Sequence, residues 1–208
     1  MKIVALCSGK LTTAFYRNKN GELKTTISEY NKIVVSSETN SRKIEITKFG
    51  LLGDERIERN TQESIRKSIL MLPATSYDFW RSRHLNNSNL TSIKYGFLGE
   101  NMVVEGLDEN TIHLGDQMCI EDTILEVTEP RIPNHHFNIQ MGYNSAVNDL
   151  ILSGLCGWYL KVVRLGFIRA GSQIILLPGT SKITVLSQFK KLTNNKQLNL
   201  IQENPIFL

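Results

Sequence analysis

The chain has 208 residues, 41% of them hydrophobic and 21% charged, with a formal charge of +4 at pH 7. That length fits one domain, or one domain with a small appendage, and supplies enough apolar material for a core. The first apolar run, Ile3 to Cys7, falls short of a secretory signal (roughly 7–15 apolar residues) and of a membrane span (about 18), so a cytoplasmic, non-membrane protein is expected.

Taken in chain order, short runs with strand character occur at 2–6, 32–36, 43–47, 68–72, 101–104, 117–120, 123–127, 161–165, 172–177 and 182–186. Ile44 and Ile46 alternate with Lys43, Glu45 and Thr47, the period of a half-buried strand. Gly50, Gly53, Gly106, Gly115, Gly166 and Gly171 separate these runs at turns. Helices are few. Pro73 followed by Thr75 or Ser76 as N-cap predicts one through Tyr77, Trp80 and Arg81, and a second is predicted over 145–155, with Val147, Leu150, Ile151 and Leu155 on one face. After Ser187, the spacing of Phe189, Leu192, Leu198 and Ile201 suits one or two short helices ending before Pro205. Asn86, Asn87 and Asn89 mark a loop, and Arg17 to Asn20 a surface hairpin or loop. Many short strands with glycine punctuation predict an α+β fold dominated by an antiparallel barrel or sandwich.

Cys7, Cys119 and Cys156 stand far apart with no C-x-x-C pair, which reads as three buried thiols in a reducing compartment. Charge is uneven. From Glu100 to Glu129 there are nine acidic residues and no Lys or Arg, and from Leu150 to Gln202 there are seven basic residues and no acid. Two readings stay open: the segments face each other across strands, or the basic one lines a site for an anionic ligand such as a phosphate-bearing cofactor. Nucleic acid is not an expected partner, because the basic residues lack aromatic interleaving and no binding motif is present.

Four segments, in order, carry a family resemblance. Gly50-Leu51-Leu52-Gly53-Asp54-Glu55 looks like a G-L-x-G-D-x turn, with Pro73 nineteen residues after Asp54 and Trp80 seven beyond. Gly99-Glu100-Asn101-Met102 is similar to G-E-N-L, and Gly106-Leu107 and Leu114-Gly115-Asp116 follow it. Glu129-Pro130-Arg131-Ile132-Pro133 looks like Q-P-R-x-P, and Gly157-Trp158-Tyr159 through Ala170-Gly171 like G-W-Y…A-G. Together they resemble the stand-alone, YiiM-like group of the MOSC (molybdenum-cofactor sulfurase C-terminal) family.

The resemblance implies a PK-type β-barrel with a few short helices, placed here at 1–186, and a short helical extension at 187–208. It also implies a groove for the pterin-type molybdenum cofactor and a metal-binding cysteine directly after P-R-x-P. The implied activity is oxygen removal from N-hydroxylated compounds, served by an electron-donor protein.

Two departures qualify that picture. Asn134 stands where the cysteine is expected, and a neutral carboxamide does not replace a soft, anionic thiolate. Where the family carries H-G-G-x-D-R-A, this chain has Gln62, Glu63, Ser64, Ile65, Arg66, Lys67 and Ser68. Lys67 keeps a charge without the planar fork of arginine, and Arg66 beside it offers compensation. The candidate ligand-binding residues are therefore Lys67, Arg66, Glu100, Asn101, Arg131 and Asn134, for a small anion or a pterin, with no metal ligand assigned. Arg131 is expected either to clamp an anion or to pair with the acidic segment, and Trp158 and Tyr159 to be core. Catalytic candidates are Asn134, His135 and His136; with His84 or His113 the histidine pair would make a nitrogen-rich site. Three functions remain open: a diverged MOSC protein retaining an anion or pterin pocket, a non-catalytic binding protein on the same barrel, and a new enzyme using His135 or His136.

Overall fold

The computed structural model describes residues 1–17, 20–57, 61–84 and 93–203, the side chains of 84 and 195–203 excepted. The first half contains β1 (Lys2–Ser8), β2 (Thr12–Arg17), β3 (Leu23–Ser28), β4 (Ile33–Ser37), β5 (Ile44–Thr47), β6 (Gly50–Leu51), α1 (Gln62–Arg66), β7 (Ile69–Pro73) and α2 (Ala74–His84). The second half contains β8 (Met102–Glu105), β9 (Gln117–Ile120), β10 (Thr123–Pro130), α3 (His135–Met141), α4 (Ala146–Ser153), β11 (Trp158–Arg164), β12 (Gly166–Ile168), β13 (Ile175–Leu177) and α5 (Val185–Glu203).

Eight strands form one curled sheet in the order β13-β9-β10-β11-β7-β8-β1-β4. Every pair is antiparallel except β7–β8. The central strand β7, Ile-Leu-Met-Leu-Pro, is buried throughout, as a strand covered on both faces must be. The longest strand, β10, instead alternates buried and half-buried residues, with one face on the core. The sheet curls far enough for β1 to meet the segment leading into β13: Ile3 N donates to the Ser172 carbonyl at 3.0 Å and Gly171 N to the Ile3 carbonyl at 2.8 Å. A three-stranded sheet, β12-β5-β6, and the β2–β3 hairpin complete the strands. The expected α+β architecture is the one observed.

The core is aromatic at its centre. Trp80, Trp158, Tyr77, Phe137 and Phe189 are each 1% exposed or less. Gly157 has φ +68°, and a Cβ there would overlap Leu72 and the Met71 carbonyl. Only glycine therefore lets β11 start flush against β7.

One predicted strand is not formed, the tail helix is longer than expected, and a helix forms after Asn134 where none is predicted. Residues 182–186 are not a strand. Thr184 makes an isolated bridge to His113, and its hydroxyl then accepts from Ser187 N at 3.1 Å, capping α5. That β-branched residue serves as an N-cap, where its hydroxyl satisfies an orphan donor. The tail is one helix, beginning at Val185 and burying Phe189 and Thr193. Residues after Asn134 form α3, which is bounded by the Asn134 side chain and by Gly142 at φ 72°. Where a surface hairpin or loop was expected at 17–20, β2 and β3 pair on either side, and Asn18 and Lys19 lie outside the described residues. The Asn86, Asn87 and Asn89 cluster also lies outside them.

Candidate functional site

One open cavity of about 440 Å³ lies where the end of β10 meets α1, α3 and the segment after β3. Of the predicted ligand-binding residues, Lys67, Arg131 and Asn134 line it, as do His136 and two residues not foreseen, Arg56 and Tyr159. Tyr159, expected in the core, is half-buried on the cavity wall. It is the neighbour of Trp158 on β11, so its side chain points to the opposite face of the sheet.

Arg131 is held on the stiff Pro130–Pro133 segment and is only 6% exposed. Its Nη2 donates to the Tyr30 hydroxyl at 2.8 Å, and its guanidinium carbon lies 5.3 Å from the Tyr30 ring and 5.1 Å from that of Phe137. Among the described residues no carboxylate lies within ion-pair distance of it. The expected pairing with the acidic segment is not made. A buried guanidinium bonded to one phenol and set against two ring faces retains unused donors; burial works against its charge, and Tyr30, Tyr159 and the more distant Glu100 favour it.

Arg56 donates from Nη1 to the Lys67 carbonyl and lies 3.5 Å from that of Ser64. It thus ties the turn after β6 to the C-terminal end of α1, where exposed carbonyls favour a cation. Lys67 is bonded to Glu63 at 2.6 Å and lies 3.5 Å from Glu129. Burial works against its charge, but the bond to Glu63 and the charges of Glu129 and Glu63 outweigh it, so its pKa is raised and the ammonium persists.

The remaining candidates lie elsewhere. Arg66 is exposed at the rim of α1, 3.8 Å from Glu129. Glu100 and Asn101 are 0% and 1% exposed and do not line the cavity. Glu100 accepts from the Tyr77 hydroxyl and Gly96 N. Asn101 accepts from Leu70 N at 3.2 Å and donates to Asp54 Oδ2 at 2.9 Å. Both are internal braces. The Gly99-Glu100-Asn101 motif reads as polar and ligand-facing only because its partners, Asp54 and Tyr77, are remote in sequence.

The basic segment of the second half does not converge on the cavity. Lys161 pairs with Glu126 at 2.7 Å and Arg169 with Glu121 at 3.2 Å. The two charged segments face each other across the strands.

His136 Nε2 lies 3.1 Å from Thr26 Oγ1 on the hairpin, and burial, helped by the neighbouring His135, lowers its pKa. His135 is exposed, its ring 4.0 Å from that of His136, and it does not line the cavity. The side chain of His84 is outside the described residues, and His113 sits beside Asp116. Among the described residues no three His, Cys, Asp or Glu side chains are grouped to hold a metal ion, and no helix is long and apolar enough to cross a membrane.

The donor set does not fit molybdenum held by a thiolate. The Asn134 carboxamide oxygen accepts from His136 N at 3.0 Å, capping α3. No cysteine lines the cavity. Cys7 and Cys156 are fully buried, and burial raises both thiols above their ordinary pKa, so neither supplies a thiolate at neutral pH.

A curled, mostly antiparallel sheet with few helices and a cavity beside a Pro-Arg-x-Pro segment defines the class of protein. The profile of the MOSC domain matches residues 53–175. That is over half of the chain, which therefore belongs to the MOSC-domain family. It is similar to Protein YiiM of Escherichia coli, with 25% identity over 140 residues that make up 67% of this chain and 62% of that one. It is also similar to a protein of Gibberella moniliformis named a reductase, at 28% identity over 74% of this chain and 28% of that one. The uncharacterized protein YflK of Bacillus subtilis is 29% identical over 53% of this chain and 48% of its own. The chain spans less than two thirds of the length of each of these relatives.

Among solved structures, YiiM of Geobacillus stearothermophilus superposes with a TM-score of 0.69 at 20% identity, covering 94% of this chain and 85% of that one. YiiM of E. coli gives 0.65 at 19% identity, over 92% and 83%. These likenesses establish the fold, and with the family match they place the chain among YiiM-like MOSC proteins.

Proposed function

We propose that this chain is a MOSC-fold binding protein whose cavity takes a small anionic ligand on Arg131 and Arg56, without thiolate-held molybdenum. The observation that carries this reading is Arg131, a nearly buried cation on the cavity wall with no carboxylate partner among the described residues. MOSC proteins are associated with the molybdenum cofactor, and the reductase chemistry of that group needs a metal anchor that Asn134 does not provide. The reading accordingly requires no electron-donor protein. Three free cysteines agree with a reducing cytoplasm.

The test is a thermal-shift series with phosphate, acetate, benzoate and hexanoate on the wild-type chain, Arg131→Gln and Arg56→Gln. At least one anion should raise the wild-type melting temperature, with the shift lost in both variants. An unchanged shift in both variants, or no shift with any anion, overturns the reading.

A second reading, an enzyme of different chemistry, is favoured by one observation: His136 lines the cavity with a lowered pKa, hence as a neutral base at pH 7. It predicts that His136→Gln abolishes any turnover detected while leaving anion binding intact.

A further inference from the structure

The charges and the apolar surface of the same cavity say more about its ligand. The cavity is lined by three cations, Arg56, Lys67 and Arg131, and two carboxylates, Glu29 and Glu63. Lys67 and Glu63 neutralise each other at 2.6 Å. Behind them, Glu129 is matched by Arg66 at 3.8 Å as well as by Lys67 at 3.5 Å. Glu29 accepts from Ile57 N at 2.7 Å and stays on the wall. His136 adds no charge at neutral pH, since its pKa is lowered. One net positive charge is left, at the two guanidinium groups. A phosphate monoester, whose second ionisation lies near pH 6, brings nearly two negative charges, whereas a carboxylate brings one.

Beside the polar Glu63 and Asn134, the exposed part of the wall carries two aliphatic side chains. Ile27 from β3 and Ile57 from the turn after β6 both line the cavity and are 53% and 56% exposed. Ile132, Pro133 and the rings of Tyr30 and Tyr159 continue that surface inward. Large aliphatic side chains left in water at a cavity mouth are what an apolar ligand body would cover.

From these observations, and resting on the anion-binding reading above, we infer that the ligand is an organic monoacid. A single carboxylate is held by Arg131 and Arg56, and an aryl or alkyl body lies against Ile27 and Ile57.

Isothermal calorimetry on the full chain with acetate, hexanoate, phenylacetate and inorganic phosphate tests this directly. Each buried methylene contributes about fourfold in affinity. Hexanoate and phenylacetate should therefore bind at least about tenfold more tightly than acetate or phosphate. Ile27→Ser and Ile57→Ser change exposed side chains and leave the fold intact. Each should weaken hexanoate about fivefold with acetate unaffected. If phosphate binds as tightly as hexanoate, or the serine variants bind hexanoate like wild type, the monoacid assignment is wrong even though anion binding stands. If no anion binds at all, both readings fail together.

Discussion

Asp54 illustrates how a motif residue can hold the structure rather than the ligand. Its carboxylate accepts from Gly9 N at 2.9 Å, from Asn101 at 2.9 Å and from the buried Lys32 ammonium at 2.7 Å. Burial lowers the Lys32 pKa, with Asp54 opposing that shift. Removing one member of a buried pair strands the other charge, at a cost of about 3–5 kcal/mol. Asp54→Ala should lose that much in urea denaturation, and Lys32→Met/Asp54→Asn, which keeps an acceptor for Gly9 and Asn101, should recover part of it; a loss below about 1 kcal/mol in Asp54→Ala contradicts the assignment. Glu100 is the second test at this scale. Burial raises its carboxyl pKa above 4.5 against the pull of Tyr77 and Gly96, and Oε2 has no hydrogen-bond partner among the described residues. The folded state therefore keeps the proton longer than the unfolded state does, so stability falls as pH rises from 4.5 toward the folded value. Glu100→Gln removes that fall. Its stability curve should diverge from wild type across this window, whereas parallel curves would contradict the buried-acid assignment.

The cavity was half legible in the sequence, for reasons these residues make plain. Lys67, Arg131, Asn134 and His136 lie on or beside segments whose family pattern points at a ligand. Arg56 lies unmarked in a turn, and its role depends on the carbonyls of Ser64 and Lys67, eight and eleven residues onward. Tyr159 follows a core tryptophan and looked like core itself, although strand alternation sends it to the other face. Glu100 and Asn101 were misplaced because a buried polar group reveals itself only through distant partners.

Among elements, α3 is the piece that most changes the chemistry. No helix is predicted directly after Pro133, which leaves His135 and His136 equivalent as catalytic candidates in the sequence. In the helix their rings lie 4.0 Å apart but differ in surroundings: His136 lines the cavity and meets Thr26 of the hairpin, while His135 is exposed. The helix depends on Asn134 as its cap. Asn134→Ala should cost about 1 kcal/mol, and Asn134→Asp should restore it, as read by denaturant midpoints. A neutral Asn134→Ala would place the stability of α3 in its packing alone, through the buried Phe137 and Met141. The strands were easier to read, because β10 and β7 announce themselves by alternation and by continuous burial. The β2–β3 hairpin escaped strand assignment because β3 buries only Ser28 and β2 buries nothing, so neither carries a core-facing stripe.

For the whole molecule, the curled sheet is the one its MOSC-fold neighbours share, and no cysteine lines the cavity beside Asn134. The sheet brings the end of β10, α1 and the β2–β3 hairpin around one cavity, and the excess positive charge there comes from Arg56 and Arg131. Lys161 and Arg169 of the basic segment pair with Glu126 and Glu121 across the strands, away from that cavity. The most direct measurement is molybdenum and pterin content per chain, in protein purified from cells that make the cofactor. A thiol-free, anion-binding cavity predicts neither molybdenum nor pterin above trace amounts. Molybdenum approaching one atom per chain would contradict it, because some group other than a cavity thiolate would then be holding the metal.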